Sequence, residues 1–512
     1  MGCQRRTNKG REVPMTKRKN SGYKKSGKKP NKSEKPYGKK NAPPGNQKGG
    51  QGPSKGKSKG NDGRQRGGKA VTAEVTCTGL TTDGKGIAQW DGKQLEVEHL
   101  LPGEKAEVMV SKSGKFVNAE LKRVISSSED RVTPPCPYFY ECGGCQIQHM
   151  SNDAQTRFKQ KTIDALMKPF GKPEPILTMD HPYGYRNKNN MTFGLNKERK
   201  VIGGLYAQNS HHIIPMDRCL IHDPKADEIV QSIKDYMKNT KMQPYNEDTG
   251  QGFLRHVLIK VGKVSGEIMV VLVAASSVFQ GKNNFVKTLR KAHPEITTMI
   301  LNVNTRNDSM VLGNQEKVLF GKGTITDTLC GLEFEISARS FYQINPVQTE
   351  KLYSKAIEMA ELSGNETVID AYCGIGTIGL IASKKAGKVI GVEENNDAVK
   401  DAIRNSKRNG VKNARFHQGD AGEFMVQMAA RGDKADVVIM DPPRSGSDEA
   451  FLSSVVKLKP KRVVYVSCNP ETQARDLKYL VKNGYEVEGI QPVDMFPQTV
   501  HVEAVTKLVR KK

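Results

Sequence analysis

Acids and aliphatic side chains are almost missing from residues 1–66, which hold 21 Lys and Arg against only Glu12, Glu34 and Asp62. A stretch so poor in apolar residues cannot bury a core, so this tail is expected to be disordered. It carries +18 of the chain's net +26, leaving +8 for everything after it. Charge this concentrated suits a polyanionic partner bound by counterion release, with a solubilising arm as the plainer alternative. No run of 18 apolar residues occurs, so no membrane span is expected. The first residues also lack the apolar segment of a secretory signal. Nine cysteines scattered unevenly through 512 residues do not form a disulfide framework, which points to a reducing, cytoplasmic compartment.

The rest of the chain divides by pattern. Residues 67–127 alternate apolar and polar residues between DG and PG turns, predicting a small all-β barrel, a pattern that an SH3-like barrel would share. Residues 128–335 predict a mixed α/β central domain with an antiparallel sheet, in which LRHVLIKVG, IMVVLVAASS and MILNVNTR supply strands. Its stretch HPYGYRNKNNMTFG (181–194) is basic with interleaved aromatics, which suits phosphate contacts and base stacking, or else an exposed strand and turn. Cys136, Cys142 and Cys145 form a C-x5-C-x2-C run, and Cys219 follows at a distance. Four thiols so arranged match a four-thiolate centre, and zinc and a [4Fe–4S] cluster both fit that ligand count.

Residues 336–512 carry the chemistry. A strand closing at Asp370 runs into the turn Cys373-Gly374-Ile375-Gly376-Thr377, and a second strand ends in Glu393 before an amphipathic helix. That is a nucleotide-type crossover, in which glycines admit the ligand to the backbone and an acid binds ribose hydroxyls. Asp420 follows a third strand, where an adenine edge would lie, and DVVIM leads a fourth strand into Asp441-Pro442-Pro443-Arg444. Then VVYVSCNP (463–470) places one thiol, Cys468, on the loop past a buried strand. The plain alternative for a lone cysteine is a small buried hydrophobe. His501 and Glu503 stand where the last strand is expected to start, closing an antiparallel pair. The D-x-x-C-G-x-G turn from Asp370 to Gly376 looks like motif I of S-adenosylmethionine-dependent methyltransferases, so the fold expected is multi-domain α/β: a Rossmann-like methyltransferase domain with a mostly parallel sheet, the small barrel and the central domain.

The segments RSFYQINPVQTE, DAYCGIGTIGL, GVEENNDAV, DPPRSG, VYVSCNPET and HVEAV together resemble the RNA uracil-5-methyltransferase family. The turn Gly103-Glu104-Lys105 resembles the signature of a TRAM domain, an OB-like barrel that binds RNA, and the four cysteines resemble the set that holds a [4Fe–4S] cluster in the 23S rRNA branch. The resemblance spans residues from about 70 to 512 and leaves the basic tail out. It implies methyl transfer from S-adenosyl-L-methionine to uridine C5, in 23S rRNA rather than tRNA, by a monomeric enzyme. Cys468 would be the nucleophile and Glu503 the base. Gln343, Tyr372, Glu393 and Asp441 would bind the cofactor, with Thr377 and Asp420 as further candidates. Phe341 would wall the pocket of a flipped base, and Cys373 would be structural. An adenine or cytosine N-methyltransferase is the rival suggested by Asp441-Pro442-Pro443, but Arg444 stands where such enzymes place a stacking aromatic. A non-catalytic RNA-binding assembly factor is the rival outside enzymology.

Overall fold

The computed structural model describes residues 70–512, apart from 114, 115, 209, 307 and 309. The expected disordered tail over 1–66 lies outside the described residues. Among the described residues, no helix is long and apolar enough to cross a membrane.

Six strands between Val71 and Ser126 form one sheet, with Val71–Thr76 antiparallel to Lys105–Ser113 and that strand antiparallel to Phe116–Ser126. Alternate residues turn inward, so Val75, Ala88, Leu95, Val97, Ala106, Val108 and Val110 share one small core. The turn after Leu101-Pro102 does more than reverse the chain. Glu104 is fully buried there and accepts bonds from the Leu101 amide at 2.8 Å and from Arg131 Nη2 at 2.6 Å. Arg131 also donates to the His99 carbonyl at 2.6 Å, so one guanidinium fastens this sheet to the segment that follows. Arg131→Ala would leave a buried carboxylate uncompensated, and we expect urea unfolding to show a loss of about 3 kcal/mol.

The central sheet has seven strands, with Leu254–Val261 and Ile268–Ala274 in its middle. It is not wholly antiparallel as the sequence suggested. Ile268–Ala274 lies parallel to Ile296–Val303 because the helix Lys282–Ala292 crosses over between them. Nor is 181–194 an exposed strand: Lys188–Leu195 pairs on both sides, with Leu254–Val261 and Val201–Tyr206. Tyr185 is buried and donates to the Pro497 carbonyl at 3.0 Å, so only part of this stretch remains for RNA. Before this sheet, the helix Asn152–Met167 is capped by Ser151, whose hydroxyl accepts the Ala154 amide. Its buried Lys159 donates to Asp494 at 2.6 Å and to the Phe496 carbonyl at 3.1 Å. Gln155 exchanges two bonds with Gln498, at 3.0 and 3.1 Å. These contacts fix the loop that leads to His501 and Glu503.

The last sheet is open and mostly parallel. Its strands are β1 (Thr367–Ala371), β2 (Lys388–Glu393), β3 (Ala414–Gln418), β4 (Val437–Met440), β5 (Arg462–Ser467), β6 (Tyr485–Val493) and β7 (Glu503–Arg510). Their spatial order is β3-β2-β1-β4-β5-β7-β6, with β7 antiparallel to both β5 and β6. Helices cover both faces, so β4 and most of β5 are buried on both sides and read as unbroken apolar runs. The chain leaves β1 toward β2 and β3 and later returns to β4 on the other side. That reversal opens a crevice at the carboxyl ends of β1 and β4, where such sheets bind ligands. β7 begins at Glu503, so His501 lies in the preceding loop rather than at the strand's start.

Candidate active site

The crevice is built by the turn after β1. Tyr372 takes φ +62°, and Gly374 and Gly376 follow at +55° and +83°. A Cβ at Gly376 would lie 2.9 Å from Phe416, whereas one at Gly374 would meet nothing within 4 Å. Gly374 therefore presents bare backbone to the open crevice, as a cradle for a nucleoside requires. Gly376 caps the short helix Thr377–Ala382. The Asp370 carboxylate accepts the Gly379 amide at 2.7 Å, and burial raises its pKa to about 7. Glu393 accepts the amides of Gly374 at 3.1 Å and Asn395 at 2.8 Å, tying the ends of β1 and β2 together. Tyr372 packs its ring 5.0 Å from Phe451, with its hydroxyl 3.4 Å from Ser447.

The remaining expected residues fall in different places. Gln343 is buried beside Tyr353, whose hydroxyl lies between Gln343 and Thr377 and within electrostatic reach of Asp441 and Glu503. Asp420 caps the helix Ala421–Ala430 by accepting the Glu423 amide at 2.7 Å, a structural task that competes with ligand binding. Cys373 is buried behind the turn, against Gly391. Phe341 is 61% exposed, with Lys188 Nζ 6.0 Å from its ring.

Cys468, Glu503 and Asp441 come together at the carboxyl edge of the sheet. Cys468 follows β5, and Ser467 pairs with Ala504 across β5 and β7, which brings Glu503 beside the thiol. Asp441 follows β4, the other neighbour of β5. Burial, then the charges of Glu503 and Asp441, raise the Cys468 pKa to about 11, while Arg444 opposes them. Burial and Asp441 push Glu503 to about 8, again against Arg444. Asp441 keeps part of its surface open, yet burial holds its carboxyl near 7. Arg444 is thus the cation that this acidic cluster shares.

Arg444 is placed by the loop on which it sits. Its carbonyl accepts the Asn469 amide group at 3.1 Å and the Thr472 hydroxyl at 3.2 Å, so the segment after β4 is stitched to the segment after β5. Its guanidinium donates to His501 Nδ1 at 3.0 Å. Burial, then the charges of Arg444 and Lys159, lower the His501 pKa to about 4, so the ring is neutral. Arg444 and Tyr353 were not assigned roles from sequence. The cation directly after two prolines was a visible signal for the first, and Tyr353, inside a buried helix face, offered none. A cavity of about 300 Å³ opens onto Cys468, with Arg444 and His501 on one side. Thr82 and Asp83, from a turn of the first sheet, complete its wall.

Cys136, Cys142, Cys145 and Cys219 share another corner. Burial raises the pKa of Cys136 and Cys142, and that of Cys145 to about 12. All three feel the charge of Cys219, whose own pKa is lowered because its bond to His222, the charge of that ring and a backbone bond together outweigh burial. His222 in turn bonds Asp227 at 2.9 Å. Among the described residues, no group of three or more His, Cys, Asp or Glu side chains forms a site that could hold a metal ion. The donor set is nonetheless all sulfur, four in number, and backed by a buried His–Asp pair of the kind that supports metal ligands.

Sheet order, the glycine turn after β1 and the crevice beside it define a methyltransferase of the S-adenosylmethionine-dependent class. Residues 151–511 match the family described as tRNA (uracil-5-)-methyltransferase. An uncharacterized RNA methyltransferase of Halalkalibacterium halodurans is 45% identical over 445 residues, 86% of this chain and 97% of that protein. Another from Caldanaerobacter subterraneus is 42% identical over 442 residues, 85% of this chain and 98% of its own length. Among solved structures, the tRNA (uracil-54, C5)-methyltransferase of Pyrococcus abyssi in complex with S-adenosyl-L-homocysteine aligns with a TM-score of 0.70 at 28% identity, covering 85% of this chain and 100% of that one. The chain belongs to the RNA uracil-5-methyltransferase family.

Proposed function

We propose that this chain methylates uridine C5 in 23S rRNA through a covalent adduct between Cys468 and uracil C6. The observation that carries the reading is the convergence of a half-buried thiol, the carboxylates Glu503 and Asp441 and one arginine at the carboxyl edge of the sheet, with the thiol and the arginine lining one cavity. Uracil C5 is too weak a nucleophile to accept a methyl group unaided. Cys468 gives its proton to water in the cavity and adds as thiolate to C6, and the electron pair displaced toward O4 makes an enolate whose C5 is nucleophilic. S-adenosyl-L-methionine, when bound, supplies the electrophilic methyl. Glu503 then takes the C5 proton, and the C5–C6 double bond re-forms as the Cys468 thiolate leaves. Gln343, Tyr372, Glu393 and Asp441 would hold the cofactor, with Thr377 beside them. Asp420 has the weakest case because of its capping role. Arg444 favours the thiolate and the ionised base, and so offsets what burial costs them. Cys136, Cys142, Cys145 and Cys219 would hold the [4Fe–4S] cluster, whose role here is to fix the corner between the first and central sheets. No catalytic step runs through it.

The pKa values of Glu503 and Cys468 set the pH dependence. Below about pH 8 the carboxyl carries the proton it must be free to accept. Tritium release from C5-labelled uridine should therefore rise steeply up to about pH 8, where Glu503 ionises, and more gently above it as more of Cys468 becomes thiolate. A flat profile would show that another group removes the proton.

The four-thiol set and the small β-sheet domain favour 23S rRNA, by the family pattern. A tRNA uridine is the second reading, and the Pyrococcus abyssi protein, which acts on uracil-54 of tRNA, favours it. Mapping modified nucleosides in a deletion strain decides between them. Loss of 5-methyluridine from 23S rRNA is expected, and loss from tRNA alone would overturn the assignment.

A further inference from the structure

A second cavity, of about 370 Å³, opens beside the one at Cys468 and is not used by the chemistry above. The two share Asp83, Val500 and His501 as a dividing wall. Close approach of three segments makes this wall. Gly84, at φ +80°, lets the turn of the first sheet lie on Val500, where a Cβ would come within 2.9 Å. Gly143, at φ +67°, lets the thiol loop approach Gln208, where a Cβ would meet Gln208 Cβ at 2.7 Å.

The far side of the cavity is aromatic. Tyr140 is 61% exposed, yet its ring is held edge-on by His99 at 5.2 Å and by Phe139 at 5.0 Å. Phe139 and His149 are buried beneath them. The cluster thus presents one ring to solvent in a fixed orientation. His99 Nδ1, enclosed at the same place, has no hydrogen-bond partner among the described residues. Charge tells what fits. Asp83, Glu98 and Glu141 line the cavity, and its one lysine, Lys85, is paired with Asp83 at 3.1 Å. An anion such as phosphate would be repelled. A flat, uncharged ligand with a hydrogen-bonding edge would be accepted, at a size within the range of small-ligand pockets.

We propose that this cavity receives the base of a nucleotide neighbouring the target uridine in the same RNA strand, stacked on Tyr140. The inference rests on the methyltransferase reading of the Cys468 cavity. His501, held by Arg444, separates the two bases, and the phosphates between them pass outside the acidic pocket. One aromatic stack per base is a common way to hold single-stranded RNA without reading its sequence.

The test uses the full chain, with a fluorescent octauridylate as the binding probe and C5-tritiated 23S rRNA as substrate. Tyr140→Ala should weaken octauridylate binding roughly tenfold, toward the lower end of what one base–aromatic stack contributes. It should raise KM for tritium release while leaving kcat near the wild-type value. Tyr140→Trp, which keeps a stacking face and removes the hydroxyl, should retain binding. Wild-type affinity in Tyr140→Ala overturns the proposal, as does a loss in Tyr140→Trp equal to that in Tyr140→Ala. If the wild-type protein binds octauridylate but releases no tritium, the methyltransferase reading fails, and the two Tyr140 variants still decide the stacking site.

Discussion

Cys468→Ala will release no measurable tritium from 23S rRNA labelled at uridine C5, a loss of at least ~10⁴-fold, of the order seen when a nucleophile is removed from its catalytic unit. The expectation rests on chemistry before geometry. Without a nucleophile at C6, uracil C5 never becomes electron-rich enough to take the methyl, so no residual pathway is available to the neighbouring groups. The variant should fold, because the thiol is half-buried at a loop and its main-chain surroundings are independently anchored. Ser467 and Asn469 bond each other, and Asn469 caps the helix Pro470–Lys482. RNA binding should persist, since Arg444, His501 and the cavity wall remain. Methyl transfer that continues without tritium release would place the target at a nitrogen or the ribose and remove Cys468 from the mechanism. Transfer absent from wild type and variant alike, with RNA bound, would favour the assembly-factor reading.

The parts of this site that are legible in the sequence are those made by local chain geometry. A β-rich run that stops at Ser467-Cys468-Asn469-Pro470 must end a strand, cap a helix and expose the residue between them. The structure has that form, with β5 on one side and the helix Pro470–Lys482 on the other. The glycine turn after β1 and the acid after β2 are equally local. What stayed hidden depends on pairing across long separations. Apolar runs such as IMVVLVA are buried whichever way their partners point, so the parallel pairing of Ile268–Ala274 with Ile296–Val303 left no mark in either strand. The stretch 181–194 carries polar residues on a strand that is interior, because Asn187 and Tyr185 find partners from residues 343 and 497. No window of sequence contains those partners. Glu104 shows the same limit: its turn was visible, while the buried bond to Arg131 was not.

Glu503→Gln should stop turnover at a different point and leave its evidence on the RNA. Burial holds this carboxyl at about 8, so at pH 7 the resting enzyme already keeps it mostly neutral, and the amide reproduces that state in size and charge. The fold should tolerate the change. The thiol should tolerate it too, and gain from it. Above pH 8, where Glu503 is ionised and is the largest charge raising the Cys468 pKa, its removal lowers that pKa, and alkylation by iodoacetamide should speed up there while matching the wild-type rate at pH 7. Addition to C6 and methyl transfer to C5 can then proceed. The amide has no basicity to take the C5 proton, and elimination cannot follow. The enzyme should accumulate as a protein–RNA species that survives denaturing electrophoresis, while turnover falls by ~10²–10⁴-fold, the usual worth of a positioned base. Adding Cys468→Ala to the same chain should abolish the species, which ties the trapped bond to that sulfur. If Glu503→Gln turns over normally, proton removal belongs to Asp441, the other carboxylate facing the thiol, whose pKa near 7 would suit the task. In that case the break in the pH profile should fall nearer pH 7 than pH 8, so the pH profile and the trapped adduct test the same assignment from opposite sides.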